Sequence, residues 1–180
     1  IPLKDKYGYM FADLAKLGKA ASVIDETNVY QEANKFTRPL LDKMLEENLL
    51  PGTKLEGIEN FKDFLAQIKN GKRGLILMEH YSNMDLPAIC YLLERDGGEE
   101  GKELSEKIVA IAGMKLNEEN PMVRSWAEAF TRVVIYPSRS LANLSEEERE
   151  VEEAKSRKIN MASMRAMDKC KREGKPILVF

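Results

Sequence analysis

Apolar positions recur at two different periods along this chain. Near the start, Phe36, Leu40 and Met44 come every fourth residue, with Leu41 and Leu45 beside them, which is the stripe of an amphipathic helix. Pro39 falls inside that stripe and predicts a kink or a break near residues 36–38. Tyr9 to Val23 reads as another helix, weakened by Gly8 and Gly18. Pro51–Gly52 stops the region, so residues 1–52 are expected to form a helical N-terminal region and residues 53–180 a second domain.

Beyond that boundary, helical stripes alternate with short apolar runs. Phe61, Phe64, Leu65 and Ile68 mark a helix closed by Asn70–Gly71. Arg73–Met78 is a short apolar run and predicts a strand buried on both faces. Leu86–Glu94 reads as a helix, Asp96–Glu103 as a polar loop, and Lys107–Gly113 as a second strand. Pro121–Phe130 predicts a helix with proline in its first turn. Arg132–Pro137 is a third strand. Ser145 then opens a long helix whose first turn carries Glu146, Glu147 and Glu148, where the helix dipole favours acid. Ile159, Ala162, Ala166 and Cys170 lie along one of its faces. Gly174 ends it, and Lys175–Phe180 is a fourth strand. Strands and helices in strict alternation predict an α/β fold with a largely parallel sheet flanked by helices. Such sheets carry their chemistry at the carboxyl ends of the strands.

Composition narrows the class. Apolar residues make up 43% and charged residues 32% of 180, as in a globular protein, and the formal charge of −2 gives no electrostatic case for nucleic acid. No apolar run approaches the ~20 residues that span a bilayer, and the start "IPLKDKYGYMF" lacks the apolar core of a signal peptide. Ile1 is not a starting methionine, so further residues are expected upstream. Cys90 and Cys170 sit in helical stretches without metal-ligand spacing and are expected as buried free thiols in a reducing compartment.

The single histidine, His80, lies in "LILMEHYSNMDLP" (75–87), just after the first predicted strand; Asp85 follows at the start of the next helix. Imidazole is the usual general base near neutral pH, and it works best when a carboxylate holds its other nitrogen. Five residues across a strand-to-helix loop allow that pairing. Asp85 could equally cap the helix, with His80 merely solvated. No second histidine or nearby cysteine accompanies His80, so no metal is expected. Ser82 lies two residues away, but no G-x-S-x-G, G-x-x-x-x-G-K-[ST] or G-x-G-x-x-G motif is present.

"LILMEHYSNMDLPAI" resembles the His-x4-Asp motif of glycerolipid acyltransferases. "VAIAGMKL" (109–116), "FTRVVIYPSRS" (130–140), the long charged helix and "GKPILVF" then follow in the order and spacing of the soluble, chloroplast-type glycerol-3-phosphate acyltransferases. The resemblance covers residues 55–180 well and the first 50 loosely, where a small helical domain of that group is matched. It implies that His80 takes the proton of a glycerol-3-phosphate hydroxyl as that oxygen attacks an acyl thioester, that Asp85 orients His80, and that transfer is direct. The donor would be acyl-CoA or acyl carrier protein, with no cofactor. Arg139, Arg132 and Lys115 fall at basic positions of the family and, with Ser82 beside the motif, are the expected substrate-binding residues. The implied setting is the cytoplasm, or the plastid stroma in a plant, with peripheral membrane contact.

The sequence departs from that family at several points. Glu79 stands where many members have asparagine, and Arg139 is flanked by Ser138 and Ser140 rather than a second basic residue. The family's third motif, with glycine and a phosphate-binding arginine, begins where this sequence stops. The resemblance therefore implies that the C-terminal part of the α/β domain is missing, that this stretch alone lacks activity, and that the strand ending at Phe180 lies at an open edge. A lysophosphatidic acid acyltransferase of the same superfamily is the alternative enzyme, although the polar helical start lacks the apolar anchor usual there. A lipid- or partner-binding α/β protein with a structural His80 is the alternative outside catalysis.

Overall fold

Four short runs of β-branched and aliphatic residues pair side by side at the centre of the fold. A computed structural model describes residues 3–118, 121–142 and 144–180; Ile1 and Pro2, part of the start read above for a leader, lie outside them. The strands are β1 (Tyr30–Gln31), β2 (Leu75–Leu77), β3 (Val109–Gly113), β4 (Arg132–Ile135) and β5 (Ile177–Val179). They form one sheet in the order β1-β4-β3-β5-β2. β2, β5, β3 and β4 are mutually parallel, and β1 joins β4 antiparallel through Tyr30 opposite Val133. The fold is thus α/β with a mixed, mostly parallel sheet.

Helices cover both faces. On one face, Leu178 of β5 and Ile76 of β2 pack against Leu65 of α3 (Ile58–Lys69), Leu93 of α4 (Asp85–Asp96) and Leu104 of α5 (Gly98–Lys107). On the other, Val109, Val133 and Ile177 meet Ala166, Met167 and Cys170 of α8 (Glu146–Arg172). Helix α8 starts at Ser145 as expected, and the start is a capping box, in which Ser145 and Glu148 satisfy each other's backbone N–H. Both cysteines are free and buried. Among the described residues, no helix is long and apolar enough to cross a membrane.

The N-terminal stretch is helical but continuous with this core. Tyr7 and Met10 of α1 (Leu3–Leu17) and Leu41 and Met44 of α2 (Arg38–Asn48) pack with Cys90 of α4 and with Phe130. Strand β1 also comes from this stretch, so the sheet draws on both sides of Pro51–Gly52.

Several sequence expectations are corrected. Helix α1 ends at Leu17 rather than Val23, because the buried Glu128 carboxylate accepts the Lys19 N–H at 2.5 Å and turns the chain out of the helix. The break near Pro39 is a helix start: α2 begins at Arg38, proline occupies the first turn where its missing N–H costs nothing, and Phe36 stays outside, 67% exposed. The polar loop at 96–103 is largely helix α5. Its glycines serve tight packing, since a Cβ on Gly101 would stand 2.1 Å from the Leu93 carbonyl oxygen, while Gly98 takes the left-handed turn between the two helices at φ +62°. Pro121–Phe130 shortens to α7 (Pro121–Ala127), preceded by the single turn α6 (Lys115–Glu118). Strand β2 is not buried on both faces: α8 does not cover it, and Leu75 and Leu77 are 57% and 75% exposed. Finally, β5 is no edge strand. It lies between β3 and β2 and is paired on both sides, which leaves β2 at that edge of the sheet.

Candidate active site

Strand β2 ends at Leu77, and the Met78 N–H makes the last rung of the ladder to the Val179 carbonyl at 2.9 Å. Glu79 to Met84 then form a tight loop into α4. His80 and Phe180 emerge side by side from the adjacent strand ends, their ring centroids 4.6 Å apart and tilted by 36°.

Asp85 is the first residue of α4. Met84 occupies the cap position and makes no side-chain cap bond, so the carboxylate of Asp85 is not engaged in capping. It turns back over the loop instead. Its Oδ2 accepts the N–H groups of Tyr81 at 2.7 Å and Ser82 at 2.8 Å, and lies 3.0 Å from His80 Nδ1. Its Oδ1 accepts the Ser82 hydroxyl at 3.0 Å, and Ser82 Oγ in turn accepts the Met84 N–H at 3.1 Å. The loop is therefore folded around one carboxylate, which also gains from the α4 dipole.

Two opposing effects act on the Asp85 carboxyl. Partial burial pushes its pKa up. The Ser82 N–H, His80, the Ser82 hydroxyl and the Tyr81 N–H favour the ionised form and outweigh it, holding the pKa below the ordinary aspartate value. Asp85 is thus ionised at neutral pH. An ionised carboxylate can only accept, so Nδ1 of His80 carries the proton and the lone pair of the neutral ring sits on Nε2. Nε2 has no hydrogen-bond partner among the described residues, and the His80 side chain is 51% exposed against 14% for Asp85. The arrangement holds a base in one tautomer with its reactive nitrogen open to an incoming proton.

The basic residues expected at the site fall at different distances from His80. Lys115 begins α6 at the carboxyl end of β3, and Arg139 lies exposed in the single 3-10 turn Ser138–Leu141 after β4. Both share the carboxyl edge with His80. Strand spacing puts the β4 end about 14 Å from the β2 end, with the ends of β3 and β5 between them. Arg139 therefore shares a small substrate with His80 only where its side chain reaches back along that edge. Arg132 does not share the edge. It stands at the start of β4, level with Ile76 in the register and about 13 Å back along the strand direction from His80. Its buried guanidinium donates to the carbonyls of Ala127 at 3.2 Å and Phe130 at 3.3 Å and to Gln31. Burial lowers its pKa to about 10, against the pull of Glu128. These contacts tie β4 to its flanking segments and account for an arginine at that position without a ligand.

Two neighbours of His80 escape sequence reasoning. Phe180 is 100 positions away along the chain, and its contact depends on β5 inserting next to β2. Glu79 accepts the Tyr81 hydroxyl and raises its pKa. Cavities of about 530 and 500 Å³ occur elsewhere, between residue 26 and α8 and around Lys19, Gln31 and Arg132; neither is lined by His80 or Asp85. The base thus sits on an open edge, with Phe180, 40% exposed, against its ring and the exposed Leu77 (75%) and Tyr81 (84%) within three residues of it along the chain. No protein-family model and no curated protein matches this chain.

Proposed function

We propose that the chain carries the base of an acyltransferase that moves a fatty acyl group from acyl-CoA or acyl carrier protein to a hydroxyl of glycerol-3-phosphate, the first step of glycerolipid synthesis. The observation that carries this reading is the 3.0 Å contact of Asp85 Oδ2 with His80 Nδ1, which leaves Nε2 as an unengaged base at the carboxyl edge of the sheet. The resemblance of the His-x4-Asp stretch supplies the reaction class. Nε2 takes the proton of the acceptor hydroxyl, the oxygen forms the ester bond at the thioester carbonyl, and the C–S bond breaks. The imidazolium, stabilised by Asp85, returns the proton to the leaving thiolate. No protein nucleophile and no cofactor enter. Lys115 and Arg139 receive the phosphate from the far side of the edge, whereas the buried position of Arg132 speaks for a structural role. The enzyme works in the cytoplasm, or in the plastid stroma of a plant, with peripheral contact to a membrane.

The exposed apolar side chains beside His80 favour a second reading in one respect. A lysophosphatidic acid acceptor would bring a second acyl chain, beside the donor's, to cover Leu77, Tyr81 and Phe180, as glycerol-3-phosphate would not. Thiol release from acyl-CoA by the natural protein at its full length, with each acceptor in turn, tests both. The expected result is turnover with glycerol-3-phosphate that His80→Ala abolishes. Turnover with lysophosphatidic acid alone selects the second reading, and undiminished turnover in His80→Ala removes both.

A further inference from the structure

Helix α8 is polarised along its length. Its first two turns carry Glu146, Glu147, Glu148, Glu150, Glu152 and Glu153, whereas acid is nearly absent from the stretch between Ala154 and Arg172. The buried side of that second part is Ser156, Ile159, Ser163 and Cys170, facing the sheet. At about 100° per residue, Arg157, Lys158, Met161, Met164, Arg165 and Lys169 fall within an arc of about 140° on the opposite side. All six are exposed; Met161 and Met164 are 55% and 66% so. Asp168 falls in the same arc and is paired with Arg73 and Arg172, Lys169 lies 3.8 Å from Glu173 and Arg157 3.5 Å from Glu153, while Lys158 and Arg165 make no ion pair among the described residues. A chain of net charge −2 thus presents one face where cations surround two unburied thioethers.

We infer that this face of α8, from Arg157 to Lys169, docks on an anionic lipid surface, with its cations on the headgroup phosphates and Met161 and Met164 inserted between them. The juxtaposition of exposed apolar side chains with a basic polar face is what an interfacial helix needs, and long flexible thioethers suit a fluid boundary. Charge complementarity selects anionic over neutral lipid; Glu146, Glu147 and Glu150 lie on the same side two to three turns nearer the N-terminus, so docking tilts that end of the helix away from the surface. The inference deepens the peripheral membrane contact proposed above. Its readout is binding without turnover, so it stands or fails separately from acyl transfer.

The test is co-sedimentation of the protein with vesicles of phosphatidylcholine alone and with 30% phosphatidylglycerol, together with two variants. Binding is expected only with phosphatidylglycerol and should weaken steeply from 0.1 to 0.5 M NaCl. The triple variant Arg157→Gln, Lys158→Gln, Arg165→Gln should lose about fivefold per cation, or about a hundredfold in partition coefficient. The double variant Met161→Ser, Met164→Ser should lose about tenfold while keeping the salt dependence. All five positions are exposed, so the variants should keep the wild-type melting temperature within a few degrees; the wild-type salt and lipid series stands without them. Absence of binding to phosphatidylglycerol vesicles overturns the inference, as does binding indifferent to the triple variant. Retention on polyglutamate that depends on the cations but not on the methionines, without vesicle binding, would instead assign the face to an acidic protein.

Discussion

Replacing Asp85 by asparagine separates two jobs that a carboxylate performs for a histidine base. It can fix the tautomer, and it can stabilise the imidazolium. In this loop the first job survives the change. Oδ2 is held by two backbone N–H groups, of Tyr81 and Ser82, and only an oxygen can satisfy them. The asparagine oxygen therefore takes that place, still 3.0 Å from Nδ1, and its amide nitrogen takes the Oδ1 place, where it donates to Ser82 Oγ. Nδ1 keeps its proton and Nε2 its lone pair. What is lost is the charge. A hydrogen bond to an ionised partner is worth about 1.5–3 kcal/mol, against about 1 for a neutral one. If the full charged bond is the upper limit, the loss in kcat is at most about 150-fold, and about tenfold is the lower expectation. This is well short of the roughly 10⁴-fold loss when an amide also imposes the wrong tautomer, as in the serine protease triad.

The assay has two parts. Steady-state acyl transfer by wild type and Asp85→Asn gives the loss in kcat. Long-range ¹H–¹⁵N correlation spectra give the tautomer, and with a single histidine in the chain the assignment is immediate. Both proteins should show the proton on Nδ1. An Nε2–H tautomer in the wild type would remove the base mechanism whatever the kinetics. A 10⁴-fold loss with a switched tautomer would show that the Tyr81 and Ser82 N–H groups do not hold the amide, and unchanged kcat would show that no imidazolium forms in the rate-limiting step.

Other consequences are equally measurable. Arg139→Ala should raise KM for glycerol-3-phosphate about tenfold or more with little change in kcat, because a grip on the non-reacting phosphate is made alike in the ground and transition states; a loss confined to kcat would contradict the phosphate role. Gly101→Ala places a Cβ against the Leu93 carbonyl and should cost about 3 kcal/mol or more in urea unfolding as α4 and α5 are forced apart, whereas Gly71→Ala has open space and loses only what its left-handed backbone demands. The depressed pKa of Asp85 adds stability that is fully present above the ordinary aspartate value and disappears as pH falls through the lower folded-state value. Asp85→Asn should therefore flatten part of the acid limb of the stability curve, and identical limbs in the two proteins would show that the loop carboxylate is not ionised in the folded state.

What could be read from the sequence was what local geometry decides. The His80–Asp85 contact closes within one strand-to-helix loop, so spacing and residue type suffice for it. The alternating periods likewise identify β3, β4, β5 and α8, where an apolar run is covered on both sides or a long helix has a clear cap. Expectations failed where a distant partner decides. Tyr30–Gln31 becomes a strand only because β4 offers it an edge, and two residues carry no period. The glycines around α5 look like loop signals until α4 packs against them. The leucines of β2 are as apolar as those of a central strand, and nothing local tells that α8 passes over β4, β3 and β5 and leaves them bare. Phe180 meets His80 only because β5 enters between β3 and β2, an order that no local pattern encodes.

That same strand order bears on how a half-exposed base could work. Bulk water competes with an acceptor hydroxyl for Nε2 and screens the attraction between Asp85 and a developing imidazolium, so the site gains rate when its surroundings are dried. The side chains that would do this are Phe180, stacked beside His80, and Leu77 and Tyr81, close to it along the chain, all with apolar surface uncovered. An acyl chain laid on them removes its own surface and theirs from water together, at about 25 cal/mol per Å² of apolar area. In the proposed reaction the fatty chain then does more than occupy a site. By displacing water next to Nε2, it strengthens the His80–Asp85 interaction at the moment the proton moves. Donors of increasing chain length should accordingly raise kcat as well as lower KM until Leu77, Tyr81 and Phe180 are covered, and level off beyond that. A chain-length series in which KM alone responds would show that the apolar surface binds the donor without drying the base.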